Sequence, residues 1–457
     1  MRQYWKLREM THSCLTLYKA SQQLVQGTVS AEALLDACLA QIDAAAGEGH
    51  TAFTAVFRET ARAEAQAADR LLRAGCGRGR LLGLPISVKA LFDVKGQVTH
   101  AGAAVLREKS PSLVDSTAVA RLRAEGAVII GHTSMSEFAF TGLGLNPHFG
   151  TPRSPWRRDE RLGRAPGGSS SGSAVSVADG MALATIGTDT GGSGRIPAAF
   201  CGITGFKPTR GRIPTQGSFP LAASFDTVAP MARDVADCRL LTEVLCGVSL
   251  ETVAPAQERL RLGVVPPLAI GPHDDPVLAA FEAALMRLTT AGVSLSFLED
   301  VDWAEPIRVL MSGRITAVEG LAAHGALFDR RSEYDPIVAE RLFAALTHPA
   351  VEYVTAQMRM AQQREVADAL FDGIDAMVLP TVAIAPPRLD DLTDPAEFAR
   401  LNALALRNTQ LANVLDLCAV SLPLRCADGT PTGLMLMGRK NYDAELLALA
   451  ETISVLL

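Results

Sequence analysis

The stretch GTDTGGSGRIPAAFCGITGFKPT, from Gly187 to Thr209, determines how the rest of this chain is interpreted. Within it, Thr190-Gly-Gly-Ser193 offers consecutive backbone N–H groups that glycine leaves uncovered by side chains. A turn of this kind can form an oxyanion pocket, in which the N–H groups hold a carbonyl oxygen while the serine hydroxyl attacks the carbon. The stretch therefore predicts Ser193 as a nucleophile.

A second block rich in glycine and serine precedes this turn. Residues 163–194 contain nine glycines and six serines, including Gly167-Gly-Ser-Ser-Ser-Gly172. Apolar residues between the two blocks are typical of packed structure, so the region is not interpreted as a flexible linker.

Gly168 to Gly172 also fits the G-x-S-x-G turn of α/β-hydrolases, with Ser170 as the nucleophile. That turn needs a strand before it, and Arg161 to Pro166 does not resemble one.

A serine nucleophile needs a base at neutral pH, and no histidine lies near Ser193 in the sequence. The candidate is Lys89, which ends the apolar segment Pro85-Ile-Ser-Val88 and is followed by Ala90-Leu-Phe92. A lysine in apolar surroundings loses hydration, which favours its neutral form and lets it accept a proton. The other interpretation is a lysine whose charged end reaches the surface.

The composition excludes several classes of protein. The chain has 457 residues, 48% of them hydrophobic, and a formal net charge of −6, so it can bury a large core and has no basic excess for nucleic acid. No apolar run approaches the ~18 residues of a membrane span, and the first residues lack a secretory signal. The eight cysteines contain no C-x-x-C pair, and the histidines form no metal-binding pattern. We expect a cytoplasmic enzyme without a metal or cofactor.

Helix and strand patterns alternate along the chain. Ser30 caps one helical pattern, a second covers about 58–74, and a third begins at Thr117, stops at Gly126 and leads into the strand pattern 127–130. This alternation is typical of α/β proteins. We predict one large α/β domain with a central mixed sheet covered by helices on both faces. Its parts would be an N-terminal helical segment at about 1–75, a core at about 76–240 and a C-terminal part at about 241–457.

Together these motifs resemble the amidase signature family, and the resemblance covers nearly the whole chain. The longest and most specific match is the stretch 187–209. The other matching segments are Gly83-Leu-Pro-Ile-Ser-Val-Lys89, Gly126-Ala-Val-Ile-Ile-Gly131, Met135-Ser-Glu-Phe-Ala139, Pro166-Gly-Gly-Ser-Ser-Ser-Gly-Ser173, Leu379-Pro-Thr381 and Asp428-Gly-Thr-Pro-Thr-Gly433.

The resemblance implies a Ser–cisSer–Lys triad. Ser193 matches the nucleophile, Ser169 matches the bridging serine and Lys89 matches the base. The peptide bond before Ser169 would then be cis, which is rare outside proline. The oxyanion hole would be formed by the backbone N–H groups of Thr190, Gly191, Gly192 and Ser193.

Some neighbouring residues need a separate interpretation. Asp189 and Arg195 flank the nucleophile, and we interpret them as an internal ion pair or hydrogen-bond partners that hold the loop. The chain departs from the family pattern at Ala90, where aspartate is common, at Gly194, where isoleucine is common, and at Asp416-Leu-Cys418, which replaces a Gly-x-Pro stretch. These departures remove no catalytic group, but they bear on the choice of substrate.

The substrate pocket is less well defined by the sequence. Phe138, Phe140, Thr141 and the mainly helical segment 303–372 are candidates for its walls, with core packing as the alternative. The arginine-rich loop 153–164 is most simply a solvated loop, and attraction of anionic substrates is the minority interpretation.

The resemblance implies hydrolysis of a small carboxylic amide, with an aryl or arylalkyl amide as one option, to a carboxylate and ammonia. Similarity to indoleacetamide-hydrolase-like members suggests the aryl group. The alternatives are a hydrolase of ureido substrates of the allophanate or carboxybiuret type, and the glutaminase subunit of a tRNA-dependent amidotransferase. The expected partner is a small-molecule amide, with no nucleic acid or membrane, and a homodimer is one option for the assembly.

Overall fold

The computed structural model describes residues 15–250, 252, 259–312 and 314–457, and its strands form one large sheet. The strands are β1 (Phe53–Val56), β2 (Pro85–Lys89), β3 (Val128–Thr133), β4 (Ala184–Asp189), β5 (Thr204–Lys207), β6 (Thr227–Ala232), β7 (Arg261–Val264), β8 (Ser294–Phe297), β9 (Ala376–Pro380), β10 (Cys418–Arg425) and β11 (Pro431–Gly438). Their order in the sheet is β1-β3-β2-β4-β6-β5-β10-β11-β9-β7-β8.

Helices cover both faces of this sheet. In the described part of the chain they are α1 (Leu17–Val25), α2 (Ala31–Ile42), α3 (Gly49–Ala52), α4 (Arg58–Arg73), α5 (Thr117–Ala124), α6 (Ser171–Ala178), α7 (Arg195–Cys201), α8 (Val235–Cys246), α9 (Asp275–Thr290), α10 (Ala304–Met311), α11 (Arg314–His324), α12 (Pro336–Phe343), α13 (Ala350–Val366), α14 (Pro395–Arg407), α15 (Gln410–Val414) and α16 (Asp443–Leu456). The predicted single α/β domain with a mixed sheet is confirmed.

The direction of the strands brings the candidate catalytic segments to one edge. β2 runs parallel to β4, with Val88 opposite Ile186. Lys89 is the last residue of β2 and Asp189 is the last residue of β4. Both strands therefore end at the same edge of the sheet. β6 returns antiparallel to β4 and pairs Thr227 with Asp189.

Local sequence signals placed several elements correctly. The Ser30 hydroxyl accepts a hydrogen bond from the Ala33 N–H at 3.1 Å and caps α2, as predicted. The helical pattern at about 58–74 corresponds to α4, and the region 303–372 is mainly helical. β3 extends to Thr133, three residues beyond the predicted strand, because its last residues pair with both β1 and β2.

The described residues leave parts of the predictions untested. The first fourteen residues of the predicted N-terminal segment lie outside the described part of the chain, and the division into three parts stays a prediction. Within the described part, every helix is too short or too polar to cross a membrane.

Candidate active site

Lys89 lies at the centre of the candidate site and is fully buried. Its Nζ is 2.7 Å from Ser169 Oγ and 2.9 Å from Thr188 Oγ1. Thr188 belongs to β4, the parallel neighbour of β2, so the sheet itself fixes this second contact. The amine is therefore held between two hydroxyl groups and does not extend to the surface.

Burial changes the acid–base behaviour of this amine. Loss of hydration lowers the pKa of Lys89 to about 7, although the carboxyl groups of Asp226 and Asp189 act in the opposite direction. The neutral amine therefore accounts for a large share of the molecules near neutral pH. This is the property that the sequence predicted for a base at this position.

Ser169 lies in the connection between β3 and β4, immediately before α6. The peptide bond from Gly168 to Ser169 is cis, as the family resemblance implied. The Ser170 N–H donates to the Ser193 carbonyl oxygen at 3.4 Å, so the two serine-containing segments are in contact. No strand precedes this block within residues 134–170, and the Ser170 hydroxyl donates to the Thr188 carbonyl oxygen at 3.4 Å. This arrangement disfavours the α/β-hydrolase alternative.

A buried ion pair shapes the turn that carries Ser193. Arg195 Nε and Nη2 lie 2.9 and 2.8 Å from the two carboxylate oxygens of Asp189, and both side chains are inaccessible to solvent. Burial alone would raise the pKa of Asp189, but the charge and hydrogen bonds of Arg195 outweigh it and lower that pKa to about 2. The predicted internal ion pair between Asp189 and Arg195 is confirmed.

The same carboxylate also binds the turn directly, which corrects one part of the predicted oxyanion hole. The Gly192 N–H donates to Asp189 Oδ1 at 2.9 Å, so this group is already engaged inside the protein. The backbone N–H groups of Thr190, Gly191 and Ser193 donate to no acceptor in the described part of the chain. Three of the four predicted donors are therefore free, and Gly192 acts instead in holding the turn.

A cavity of ≈ 460 Å³ lies beside Ser193 and is also lined by Thr190 and Gly191. Ser193 is 4% exposed, whereas Lys89 and Ser169 are fully buried and do not line the cavity. A molecule in the cavity would therefore reach Ser193, but neither Lys89 nor Ser169.

The walls of the cavity agree with most of the sequence expectations. Phe140 and Thr141 line it, and so do residues of the helical segment 303–372, including Leu310 and Arg341. Phe138 is the exception. Its positive φ of 49° accompanies a buried ring that packs instead against Phe219, His324 and Tyr334.

The arginine-rich loop 153–164 is held by ion pairs within the chain. Arg153 contacts Glu48 at 2.5 Å, Arg158 contacts Asp179 at 2.9 Å, and Arg164 contacts Glu160 at 2.8 Å. Because these three guanidinium groups already have carboxylate partners, the structure does not favour the attraction of anionic substrates by this loop.

Sequence reasoning missed three residues that contact the site. Asp226 accepts a hydrogen bond from Thr190 Oγ1 at 2.6 Å, and Asn413 Nδ2 donates to Asp189 Oδ1 at 2.9 Å. Thr188 lies in the quoted stretch and follows the β-branched Thr185 and Ile186, which are a strand signal, but no strand was predicted there. Asp226 and Asn413 carry no local signal, since only tertiary folding brings their distant segments to the turn.

These features agree with one known family. A family model described as Amidase matches residues 33–447, which is nearly the whole chain. The chain belongs to the amidase family. Members of the amidase signature family are amidohydrolases that cleave C–N amide bonds.

Individual relatives of this amidase-family chain carry different functional names. A 2-amino-5-chloromuconic acid deaminase from Comamonas testosteroni is 36% identical over 98% of this chain and 97% of its own length. A glutamyl-tRNA(Gln) amidotransferase subunit from Roseiflexus castenholzii is 34% identical over 96% of this chain and 94% of its own length. A crystal structure of an amidase matches with a TM-score of 0.86 at 32% identity, covering 97% of this chain and 100% of that one.

Proposed function

We propose that this chain hydrolyses a small carboxylic amide to a carboxylate and ammonia through an acyl-enzyme on Ser193. The observation that carries the proposal is the contact between the buried Lys89 Nζ and Ser169 Oγ at 2.7 Å, in a segment that contacts the Ser193 backbone, together with the place of Ser193 in the cavity wall. A buried amine with a pKa of about 7 can accept a proton near neutral pH, as a general base must.

In the proposed first step, Ser193 Oγ attacks the amide carbon. Its proton moves to Ser169 Oγ while the Ser169 proton moves to Lys89 Nζ. The electron pair of the carbonyl π bond moves to the oxygen, which the free N–H groups of Thr190, Gly191 and Ser193 would stabilise. These donors are held in place before substrate arrives, so little reorganisation is needed during the reaction.

In the following steps, the relay delivers the proton to the leaving nitrogen, the C–N bond breaks and ammonia departs. An ester between the acyl group and Ser193 remains. Water then attacks the ester carbon while the same relay accepts its proton. The bond between the acyl carbon and Ser193 Oγ breaks, the relay returns the proton to Ser193 Oγ, and the carboxylic acid leaves and loses its proton to the released ammonia or to solvent. The chain's own groups account for every proton in this cycle, so the proposal needs no metal or cofactor.

The cavity supports a small substrate with an apolar part. Its volume of ≈ 460 Å³ lies within the usual range for small-molecule sites, and Leu221, Leu310 and Phe398 contribute apolar surface. Phe140 adds an aromatic side chain to the cavity wall. These walls favour an aryl or arylalkyl amide.

The cytoplasmic location inferred from the sequence stays a prediction.

The second candidate function is that of a glutaminase subunit in an amidotransferase. The similarity to the Roseiflexus castenholzii amidotransferase protein favours it, because that relative aligns along nearly its whole length. A glutaminase subunit would depend on partner subunits, whereas a simple amidase would act alone.

The test is ammonia release by the purified chain over aliphatic, aryl, amino-acid and ureido amides. Turnover of an aryl amide that is lost in Ser193→Ala supports the proposed function. Turnover of ureido substrates alone would favour the ureido hydrolase, and glutamine turnover that requires added partner subunits would favour the amidotransferase role. Release from no amide at all would contradict the simple amidase.

A further inference from the structure

Gln410 lines the same cavity as Ser193, and no described residue satisfies its side chain. It is the first residue of α15 and only 5% exposed. Its Oε1 is buried and meets no donor in the described part of the chain. Its Nε2 is also close to Gly191: if Gly191 carried a Cβ, that atom would lie 3.7 Å from Nε2. Gly191 supplies one of the free backbone N–H groups.

The turn and α15 are joined by hydrogen bonds on both sides of Gln410 in the sequence. Thr409 Oγ1 donates to the Gly191 carbonyl oxygen at 2.7 Å. One helical turn later, Asn413 Nδ2 donates to Asp189 Oδ1 at 2.9 Å. The backbone of Gln410 is therefore held close to the turn that carries Ser193.

A carboxamide without a protein partner at a nearly buried position is unusual, because nearly all buried polar atoms in proteins are hydrogen-bonded. In a cavity beside a nucleophile, a bound primary amide can supply both partners, because its N–H group can donate to Gln410 Oε1 while its carbonyl oxygen accepts from Gln410 Nε2. The engagement of the Gly192 N–H by Asp189 also removes one donor that the oxyanion would otherwise use. A neutral side-chain donor next to Gly191 would replace it.

We propose that Gln410 Nε2 donates a hydrogen bond to the substrate carbonyl oxygen as it becomes an oxyanion. This inference rests on the proposed function and adds a catalytic residue to it. When Ser193 Oγ bonds to the carbon, the π electrons move to the oxygen, and the N–H dipole stabilises that negative charge. Gln410 transfers no proton and forms no covalent bond. When the carbonyl re-forms, the hydrogen bond weakens again.

The test replaces the donor while keeping the shape of the side chain. Gln410→Met removes all hydrogen-bonding capacity, and Gln410→Glu keeps the shape but places an anion beside the developing negative charge. The matched control is Gln66→Met. Gln66 lies on α4, far in the sequence from the residues that line the cavity, and its side-chain amide donates to a carboxylate oxygen of Glu32 at 2.8 Å. Thermal unfolding of each variant establishes that the protein is folded.

Two readouts are measured: kcat and KM on an amide that the wild-type chain hydrolyses, and the second-order rate of Ser193 labelling by a fluorophosphonate. The labelling reaction also develops charge on an oxygen beside the nucleophile. Loss of one oxyanion donor should lower kcat and the labelling rate by about 10²-fold, with KM little changed. Gln410→Glu should be at least as slow as Gln410→Met, and Gln66→Met should match the wild type.

The outcomes separate this inference from the proposed function. Wild-type kcat and labelling rate in both folded Gln410 variants would overturn the inference and leave the amidase function intact. A raised KM with unchanged kcat would also overturn it, because the side chain would then bind substrate and transition state equally. If the wild-type chain neither releases ammonia nor becomes labelled, the proposed function fails, and the role of Gln410 fails with it.

Discussion

Lys89 Nζ lies 2.7 Å from Ser169 Oγ in a part of the molecule that solvent does not reach. Their segments come from different parts of the chain, the end of β2 and the loop before α6. The amine has no carboxylate in direct contact among the described residues, and its nearest partners are hydroxyl groups. A lysine held in this way is suited to accept protons.

The pH dependence of turnover should report this amine. Lys89 must be neutral to accept a proton, and its pKa of about 7 means that the ammonium form predominates at lower pH. We therefore expect kcat/KM to rise from acidic to mildly alkaline pH along a limb that corresponds to one proton, with its midpoint near pH 7. A flat profile between pH 5 and pH 9, on a substrate that does not itself titrate, would contradict this assignment.

Asp226→Asn tests whether that limb reports the pKa of Lys89, and Asp43→Asn is its control. The carboxyl group of Asp226 raises the pKa of Lys89, so its removal should lower that pKa and move the limb to lower pH. Asp43→Asn changes an exposed carboxylate that pairs with Arg58, and it should leave the limb in place.

Substitution of Lys89 should separate its basicity from its packing. Lys89→Ala should lower kcat by about 10²–10⁴-fold, because general-base catalysis usually contributes that much. Lys89→Arg should not restore activity, since a guanidinium stays protonated and cannot accept the proton. Steady-state kinetics on folded variants is the measurement. Wild-type activity in Lys89→Arg would show that this residue is not the base.

Asp189 should contribute strongly to stability because it is one half of a buried ion pair. Asp189→Asn leaves the Arg195 guanidinium buried without its counter-charge, and losses of about 3–5 kcal/mol are typical when one partner of such a pair is removed. Urea unfolding measures the change. Asp43→Asn removes an exposed ion pair and should change the free energy of unfolding by no more than about 1 kcal/mol. Equal losses in the two variants would refute the structural role.

The two glycines before Ser193 should respond differently to alanine. At Gly192, φ is +129° and a Cβ would overlap Thr409 Oγ1, so Gly192→Ala should destabilise the fold and abolish turnover. At Gly191 the nearest atoms to a Cβ lie at 3.7 Å, which is ordinary van der Waals contact, so Gly191→Ala should fold with a Tm close to the wild type. The Tm values of the two variants, compared by calorimetry, test this difference, and the reverse order would contradict it.

Much of the site was predictable because its key residues lie in locally recognisable segments. The Thr190-Gly-Gly-Ser193 turn exposes backbone donors by composition alone, and the apolar segment before Lys89 already indicated a desolvated amine. The apolar segment before Lys89 is strand β2, and the alternation of helices and strands predicted a mixed sheet. Neither strand β4 nor its parallel pairing with β2 was predicted.

The remaining features depend on tertiary contacts. Gln410 lies more than two hundred residues after Ser193, and its proximity to Gly191 arises from the packing of α15 against the turn. The Gly192 N–H was predicted to be free, but the compact turn directs it to Asp189. Phe138 was a candidate for the pocket wall, but its ring lies in the core, where it packs against Phe219, His324 and Tyr334.

The central claim is that Ser193, and no neighbouring serine, forms the covalent intermediate. It is tested most directly by labelling the purified chain with a fluorophosphonate and locating the adduct by tandem mass spectrometry. We predict a single adduct on Ser193, which is lost in Ser193→Ala and strongly reduced in Lys89→Ala. An adduct on Ser170 in the wild-type chain would contradict this claim and revive the nucleophile turn at Gly168 to Gly172.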